Sequence, residues 1–173
     1  MRGYRYVLHV HSKRAVHEAS LECWHDFIFR NLLGSQEIVQ SVFDIFSRHP
    51  MVGIIGPQHF DLARAWIGWG YNFELASILA TRMGIALTPD RPLDFPSGSM
   101  FWARSAALRP LLDLGLSYND FSDKLGQVDG TLARAIERLY YFACEQAGFN
   151  WVKISCPELF TDTSWPDGFF VPA

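Results

Sequence analysis

Three observations place this sequence in the α/β class, as a three-layer sheet with flanking helices. Short β-rich segments alternate along the chain with segments of helical periodicity, the pattern that lays helices against a sheet. One β segment, MVGIIGP at 51–57, is apolar without alternation, as a strand covered on both faces must be. With 173 residues, 49% of them apolar and 19% charged, the chain can bury one real core. It shows no internal repeat and no dividing linker, so a single domain over 1–173 is expected.

The elements follow in order. YRYVLHVH, residues 4–11, alternates and reads as a strand with Leu8 and Val10 on one side and His9 and His11 on the other. In HEASLECWHDFIFRNLLG, Leu21, Trp24, Ile28 and Leu32 recur at helical spacing, and Gly34 is placed as a left-handed stop. Ser35 is positioned to cap a second helix from Gln36 to Arg48, whose stripe is Ile38, Val42, Ile45 and Phe46; Pro50 bars its continuation. After the 51–57 strand, the Trp/Gly-rich AWIGWGYN leads into a helix through Met83 that Gly84 ends. Three prolines make PDRPLDFP a loop. A strand is expected near 98–103. LSYNDFSDKLGQVDG is loop-like, and Asp129 precedes a helix with Leu132, Ala135, Ile136, Leu139 and Ala143 on one face and Gly148 at its end. FNWVKIS is the last strand, and the proline-containing tail from Cys156 reads as extended.

Composition narrows the function. A net charge of −3 lacks the basic field of a nucleic-acid binder. Twelve Arg against three Lys suits bidentate anion recognition, though genome composition produces the same skew. Aromatics at 15% exceed what a core needs and point to platforms or an interface. Cys23, Cys144 and Cys156, odd in number and without metal-type spacing, read as reduced thiols. No signal-peptide core is present and no stretch approaches the ~20 apolar residues of a membrane span. The expected location is cytoplasmic, free or peripheral at the inner membrane.

Several residues can carry chemistry. His9, His11 and Lys13 share one side at the carboxyl end of a strand, where open α/β sheets bind ligands and where phosphate is a natural counter-charge. The same histidines can be hydrogen-bonded structural groups, and two ligands without a third do not make a metal site. Ser97, Gly98 and Ser99 remove side-chain volume just before Met100-Phe101-Trp102, which permits either a close approach to the backbone or a bend; Arg104 follows at once. Asp129 reads as a helix N-cap, a general base, or both. Arg134 and Glu137 can pair on the polar face of that helix, beside Arg138. Trp69 and Asn72 share a loop, either as a sugar platform with an amide partner or as a buried loop anchor. No phosphate-binding glycine loop, nucleophile elbow, HExxH, paired CxxC or Asp-x-Asp is present.

YVLHVHSKR, NLLGS, VGIIGP, FPSGSMFWAR and DGTLARAIERL occur in the order and spacing of the rhamnan synthesis protein F family, which the chain resembles over most of residues 4–142. Arg134 stands where that family often has His, and His9 where Lys is usual. The resemblance implies a fold similar to the C-terminal part of an A-type glycosyltransferase, in bacterial surface-polysaccharide and O-antigen synthesis. It places the chain at about the strand that follows the N-terminal nucleotide-binding half, so donor binding would depend on a companion chain or a homo-oligomer covering the open sheet edge. It further implies transfer of a sugar such as rhamnose from dTDP-rhamnose or a similar donor to a glycan or lipid-linked glycan, with no tightly bound cofactor or metal. Asp129 would be the base and His11 its catalytic partner. Lys13, Ser97, Gly98, Ser99, Arg104, Trp69 and Asn72 would contact substrate, with the Ser97–Ser99 gap admitting sugar. The alternative is a non-catalytic saccharide-binding or assembly module on the same fold.

Overall fold

The computed structural model describes residues 4–11, 23–121, 129–156 and 159. It is a mixed α/β fold: an open four-stranded sheet with flanking helices. The strands are β1 (Tyr6–His9), β2 (Val52–Pro57), β3 (Phe101–Arg104) and β4 (Asn150–Ile154), and the helices are α1 (Trp24–Leu33), α2 (Gln36–Arg48), α3 (Phe73–Arg82), α4 (Arg109–Leu112) and α5 (Leu132–Gln146). Short 3₁₀ turns fill Asp61–Trp66, Gly70–Asn72, Ser105–Leu108 and Tyr118–Asp120. The tail after Cys156 lies outside the described residues except for Leu159.

The sheet order is β1-β3-β2-β4. β3 is antiparallel to both β1 and β2, with Tyr6 opposite Arg104 and Ile54 opposite Ala103, while β2 and β4 are parallel. β2 is buried at every position, as its unbroken apolar run requires. Its successive side chains go to different faces: Ile55 packs with Phe27, Ile28, Leu32, Val42 and Phe46 of α1 and α2, and Ile54 with Tyr141 and Cys144 of α5. A third cluster joins α3 to α5 through Ala76, Leu79, Ala80, Ala135, Leu139 and Phe142.

Local signals account for most boundaries. The Ser35 hydroxyl accepts the Ile38 N–H at 3.3 Å, and α2 stops at Arg48, two residues before Pro50. Gly84 follows α3 with φ +77°, and Gly148 follows α5 with φ +81°. Two expectations change. Gly34 is right-handed (φ −62°), so it is not a left-handed stop; a β-carbon there would lie 2.4 Å from the Arg30 carbonyl oxygen. The cap of α5 is Thr131, whose hydroxyl accepts the Arg134 N–H at 3.3 Å, and not Asp129 two residues earlier.

Gly53 is the tightest point of the sheet–helix contact. A β-carbon there would meet Phe149 Cβ at 2.6 Å, Ala107 Cβ at 2.7 Å and Cys144 Sγ at 2.8 Å. Gly53→Ala is expected to destabilise the fold by about 2 kcal/mol or more through overpacking, measured by urea denaturation, whereas Gly115→Ala, which meets no neighbour within 4 Å, carries only a backbone cost of about 1 kcal/mol at its φ of +64°.

Candidate functional site

Because β1, β2 and β4 run the same way, their carboxyl ends share one edge of the sheet with the start of β3. Open α/β sheets place ligands at this edge. The residues gathered there are His9 and His11, His59 just beyond β2, Lys153 and Ser155 at the end of β4, and the Pro96–Ser99 turn.

The turn is built by its own backbone and held by its neighbours. The Ser99 N–H donates to Pro96 O at 2.8 Å, and Gly98 has φ +80°. Ser99 is itself left-handed at φ +54°, a cost for a residue with a β-carbon that persists where surroundings over-determine it. They do so here. His11 donates from Nε2 to Gly98 O at 2.7 Å, His9 donates from Nδ1 to Ser99 O, and the Ser99 hydroxyl donates to Glu137 Oε1 at 2.9 Å. With its Nε2–H so fixed, neutral His11 keeps a lone pair at Nδ1, which is buried and has no partner among the described residues. The His9 ring stacks on Phe101 beside Tyr140. Burial, with the charge of Glu137, pushes the Tyr140 hydroxyl up to about 12, so it stays protonated.

Behind the turn lies a buried polar chain. His59 Nδ1 accepts the Ser97 hydroxyl at 2.9 Å, and His59 Nε2 donates to Asp94 Oδ1 at 3.0 Å, the tautomer that an ionised Asp94 requires. The Lys153 ammonium sits 3.1 Å from the same His59 nitrogen and is ion-paired with Asp94 Oδ2. Burial pushes the Asp94 carboxyl up, but the hydrogen bond from His59 and the nearby Lys153 outweigh it and hold the group below its ordinary value. Burial also pushes the Lys153 ammonium down, only partly offset by Asp94. The pair therefore favours the carboxylate while the ammonium still bears a desolvation cost.

On the other side, α5 presents Glu137 and Arg138 inward. Both are buried, and Glu137 Oε2 lies 2.9 Å from Arg134 and 3.3 Å from Arg138. Arg138 also donates from Nε to Gly68 O at 3.1 Å, tying α5 to the loop before α3. That loop holds Asp129. The Tyr71 N–H donates to Asp129 Oδ2 at 3.1 Å, the Asn72 amide donates to Oδ1, and Asn72 Oδ1 accepts the Gly130 N–H at 3.1 Å. Burial pushes the Asp129 carboxyl up, but these hydrogen bonds and the charge of Arg138 hold it below the usual carboxylate range.

The structure thus brings His11, Gly98, Ser99, Asn72 and Asp129 into one connected region, joined through Glu137 and Arg138. The other expected site residues are placed differently. The space beside Gly98 is filled by α1, since a β-carbon there would meet Ile28 Cδ1 at 2.7 Å and the Trp24 ring at 3.4 Å; the missing side chain serves a bend and helix packing. The Ser97 hydroxyl is turned to His59. Arg104 donates to Val52 O at 2.8 Å and to Phe46 O, and lies over the Tyr6 and Phe46 rings, so it joins β1, β2 and α2 and makes no ion pair among the described residues. The Trp69 ring packs against Phe73 and Phe142. Lys13 lies outside the described residues. Among them, no group of three His, Cys, Asp or Glu side chains is close enough to hold a metal ion, and no helix is long and apolar enough to cross a membrane.

Sequence reasoning paired Glu137 with Arg134, as observed, but put Glu137 and Arg138 on or beside the polar face of α5, and it passed over His59, Asp94 and Lys153. A signal for the burial of Glu137 exists: Glu137, Tyr141 and Cys144 form an i, i+4, i+7 row, a second inward face of α5 beside the Ala135–Leu139 stripe.

Comparison with known proteins gives one family. The sequence model of rhamnan synthesis protein F matches residues 1–149. Two curated relatives, both described as uncharacterized protein WxcX, come from two strains of Xanthomonas campestris pv. campestris. They are 40% and 39% identical over 143 residues, covering 82% of this chain and 20% of each relative. The chain therefore spans about a fifth of the length of these relatives. No solved structure matches it significantly.

Asp94→Asn removes the carboxylate charge that balances the buried Lys153 ammonium. It is expected to cost about 3 kcal/mol in chemical denaturation, with part regained when Lys153→Met is added. Because the native pKa of Asp94 is depressed, its contribution is present above the unfolded value of about 3.9 and is lost as pH falls through the native value. The stability difference between wild type and Asp94→Asn should therefore shrink on acidification below about pH 4.

Proposed function

The chain belongs to the rhamnan synthesis protein F family, and we propose from that premise that it carries out sugar transfer, or its acceptor-side half, in bacterial polysaccharide synthesis. The observation that carries this reading is the Glu137–Arg138 link. It connects the Ser99 turn, at the edge where open α/β sheets bind ligands, to the loop that Asp129 holds.

In the proposed reaction the acceptor hydroxyl loses its proton to the Asp129 carboxylate as its oxygen bonds to the anomeric carbon of the donor. The bond from that carbon to the phosphate oxygen breaks, and nucleoside diphosphate leaves. The hydrogen bonds from Tyr71 and Asn72 fix the carboxylate and keep it ionised, so it is ready to accept a proton but is a modest base. His11 would face the leaving diphosphate and stabilise its charge, with Lys13 as its expected partner. Rhamnose from a dTDP donor is the sugar proposed, with a glycan or lipid-linked glycan as acceptor. The protein would work in the cytoplasm or at the inner face of the membrane.

One observation favours a second reading. Both Asp129 oxygens already accept bonds that shape the loop, which suits a saccharide-binding module without turnover.

The purified protein is expected to transfer rhamnose from dTDP-rhamnose to a rhamnose-terminated oligosaccharide, with Asp129→Asn lowering turnover about 100-fold or more and leaving the thermal midpoint within a few degrees of wild type. Full activity in Asp129→Asn would remove the base assignment. Glycan binding by wild type without any transfer would establish the binding-module reading instead.

A further inference from the structure

The loop from Asp61 to Asn72 is held at its backbone from several directions. The Ile67 N–H donates to Arg64 O at 3.1 Å, the Asn72 N–H donates to Trp69 O at 3.0 Å, and Arg138 holds Gly68 O. Asp129 holds the Tyr71 N–H and packs so closely on Gly70 that a β-carbon there would lie 2.4 Å from Oδ2. The Trp69 ring is sunk against Phe73 and Phe142. Yet Trp66 and Tyr71, on the two successive 3₁₀ turns of this loop, are 61% and 86% exposed. The loop backbone is fixed while both rings stand in water, the condition in which an exposed aromatic can serve as a binding surface.

We infer that Trp66 and Tyr71 form a saccharide-binding subsite, with the Asp129 carboxylate, which accepts the Tyr71 N–H, as its hydroxyl acceptor. A sugar ring offers an apolar C–H face to an aromatic ring and hydroxyls to a carboxylate, and Tyr71 and the Asp129 carboxylate that accepts its N–H supply one of each. A 6-deoxyhexose such as rhamnose fits better than a hexose, because a methyl group replaces the hydroxymethyl and enlarges the apolar face. A protein partner is the weaker occupant. Two rings offer about 300–500 Å², short of the roughly 800 Å² per partner of a stable protein interface. Preorganisation strengthens the case for a small ligand, since the loop is already ordered and loses little freedom on binding. The identity of the sugar rests on the polysaccharide role proposed above; the subsite itself does not require turnover.

The test is a titration of the purified protein with a rhamnose tetrasaccharide and with a mannose tetrasaccharide of the same linkage, followed by tryptophan fluorescence and by saturation-transfer NMR. The rhamnose compound is expected to perturb the fluorescence saturably and to bind several-fold more tightly than the mannose compound. The Trp66→Ala, Tyr71→Ala double variant should weaken binding roughly tenfold or more, while Trp66→Phe, Tyr71→Phe restores most of it in the NMR readout. Unchanged affinity in the alanine variant, with its circular dichroism intact, would overturn the inference, as would a change of oligomeric state in place of a change in glycan affinity. Transfer activity separates the two proposals. Turnover with an unchanged acceptor KM in the alanine variant removes the subsite and leaves the transferase; ring-dependent binding without turnover keeps the subsite and removes the transferase.

Discussion

A carboxylate buried in the middle of a helix has to be compensated where it stands, and in this protein that requirement falls on Glu137. It lies between α5 and the sheet edge with two guanidinium groups and one serine hydroxyl around it. Removing any of these would leave charge in a poorly solvated place, so the groups that satisfy Glu137 are also fixed by it. Ser99 is one of them, and its left-handed backbone is an improbable conformation that the hydrogen bond to Glu137 helps to hold. Arg138 is another, and it also donates to Gly68 O in the loop before α3 that Asp129 holds. One helix thus sets the geometry of two otherwise separate segments.

The sheet supplies the rest of that geometry. Parallel β1, β2 and β4 bring His9, His59 and Lys153 to a common edge, and the antiparallel β3 starts there, so its entry turn meets His9 and His59. His9 of β1 and His11 just beyond it spend ring N–H groups on the turn carbonyls, and the Ser97–His59–Asp94–Lys153 chain closes the turn from behind. Polar side chains are concentrated at the edge where the strands end, and apolar ones where they are paired. The site and the fold are in this sense one arrangement.

Elements set by local chemistry were legible in the sequence. The unbroken apolar run of β2, the Ser35 cap and the glycines after α3 and α5 act over a few residues and could be read directly. The blocks shared with the rhamnan synthesis protein F family located the Gly98–Arg104 and Asp129–Gly130 segments. What depends on distant pairing was not legible. His59 and Lys153 are separated by 94 residues and meet only because β2 pairs with β4. Glu137 and Arg138 looked solvated because one apolar stripe explained α5; the helix has a second buried face that a single periodicity hides. Asp129 had the spacing of a cap, but Thr131 is nearer the first turn and Asp129 is drawn to the Tyr71 N–H instead. Trp69 and Trp66 cannot be told apart by composition, and only packing shows which is anchored and which is presented to solvent.

The central claim is that ligand binds at the carboxyl edge of the sheet, around the Ser99 turn and the Asp129 loop. Amide NMR shift mapping during titration with dTDP-rhamnose tests it most directly. The largest perturbations are expected at His9, Gly70, Tyr71, Gly98, Ser99 and Gly130. Perturbations confined to the groove lined by Arg82, Arg109, Gln146 and Phe149 would contradict it.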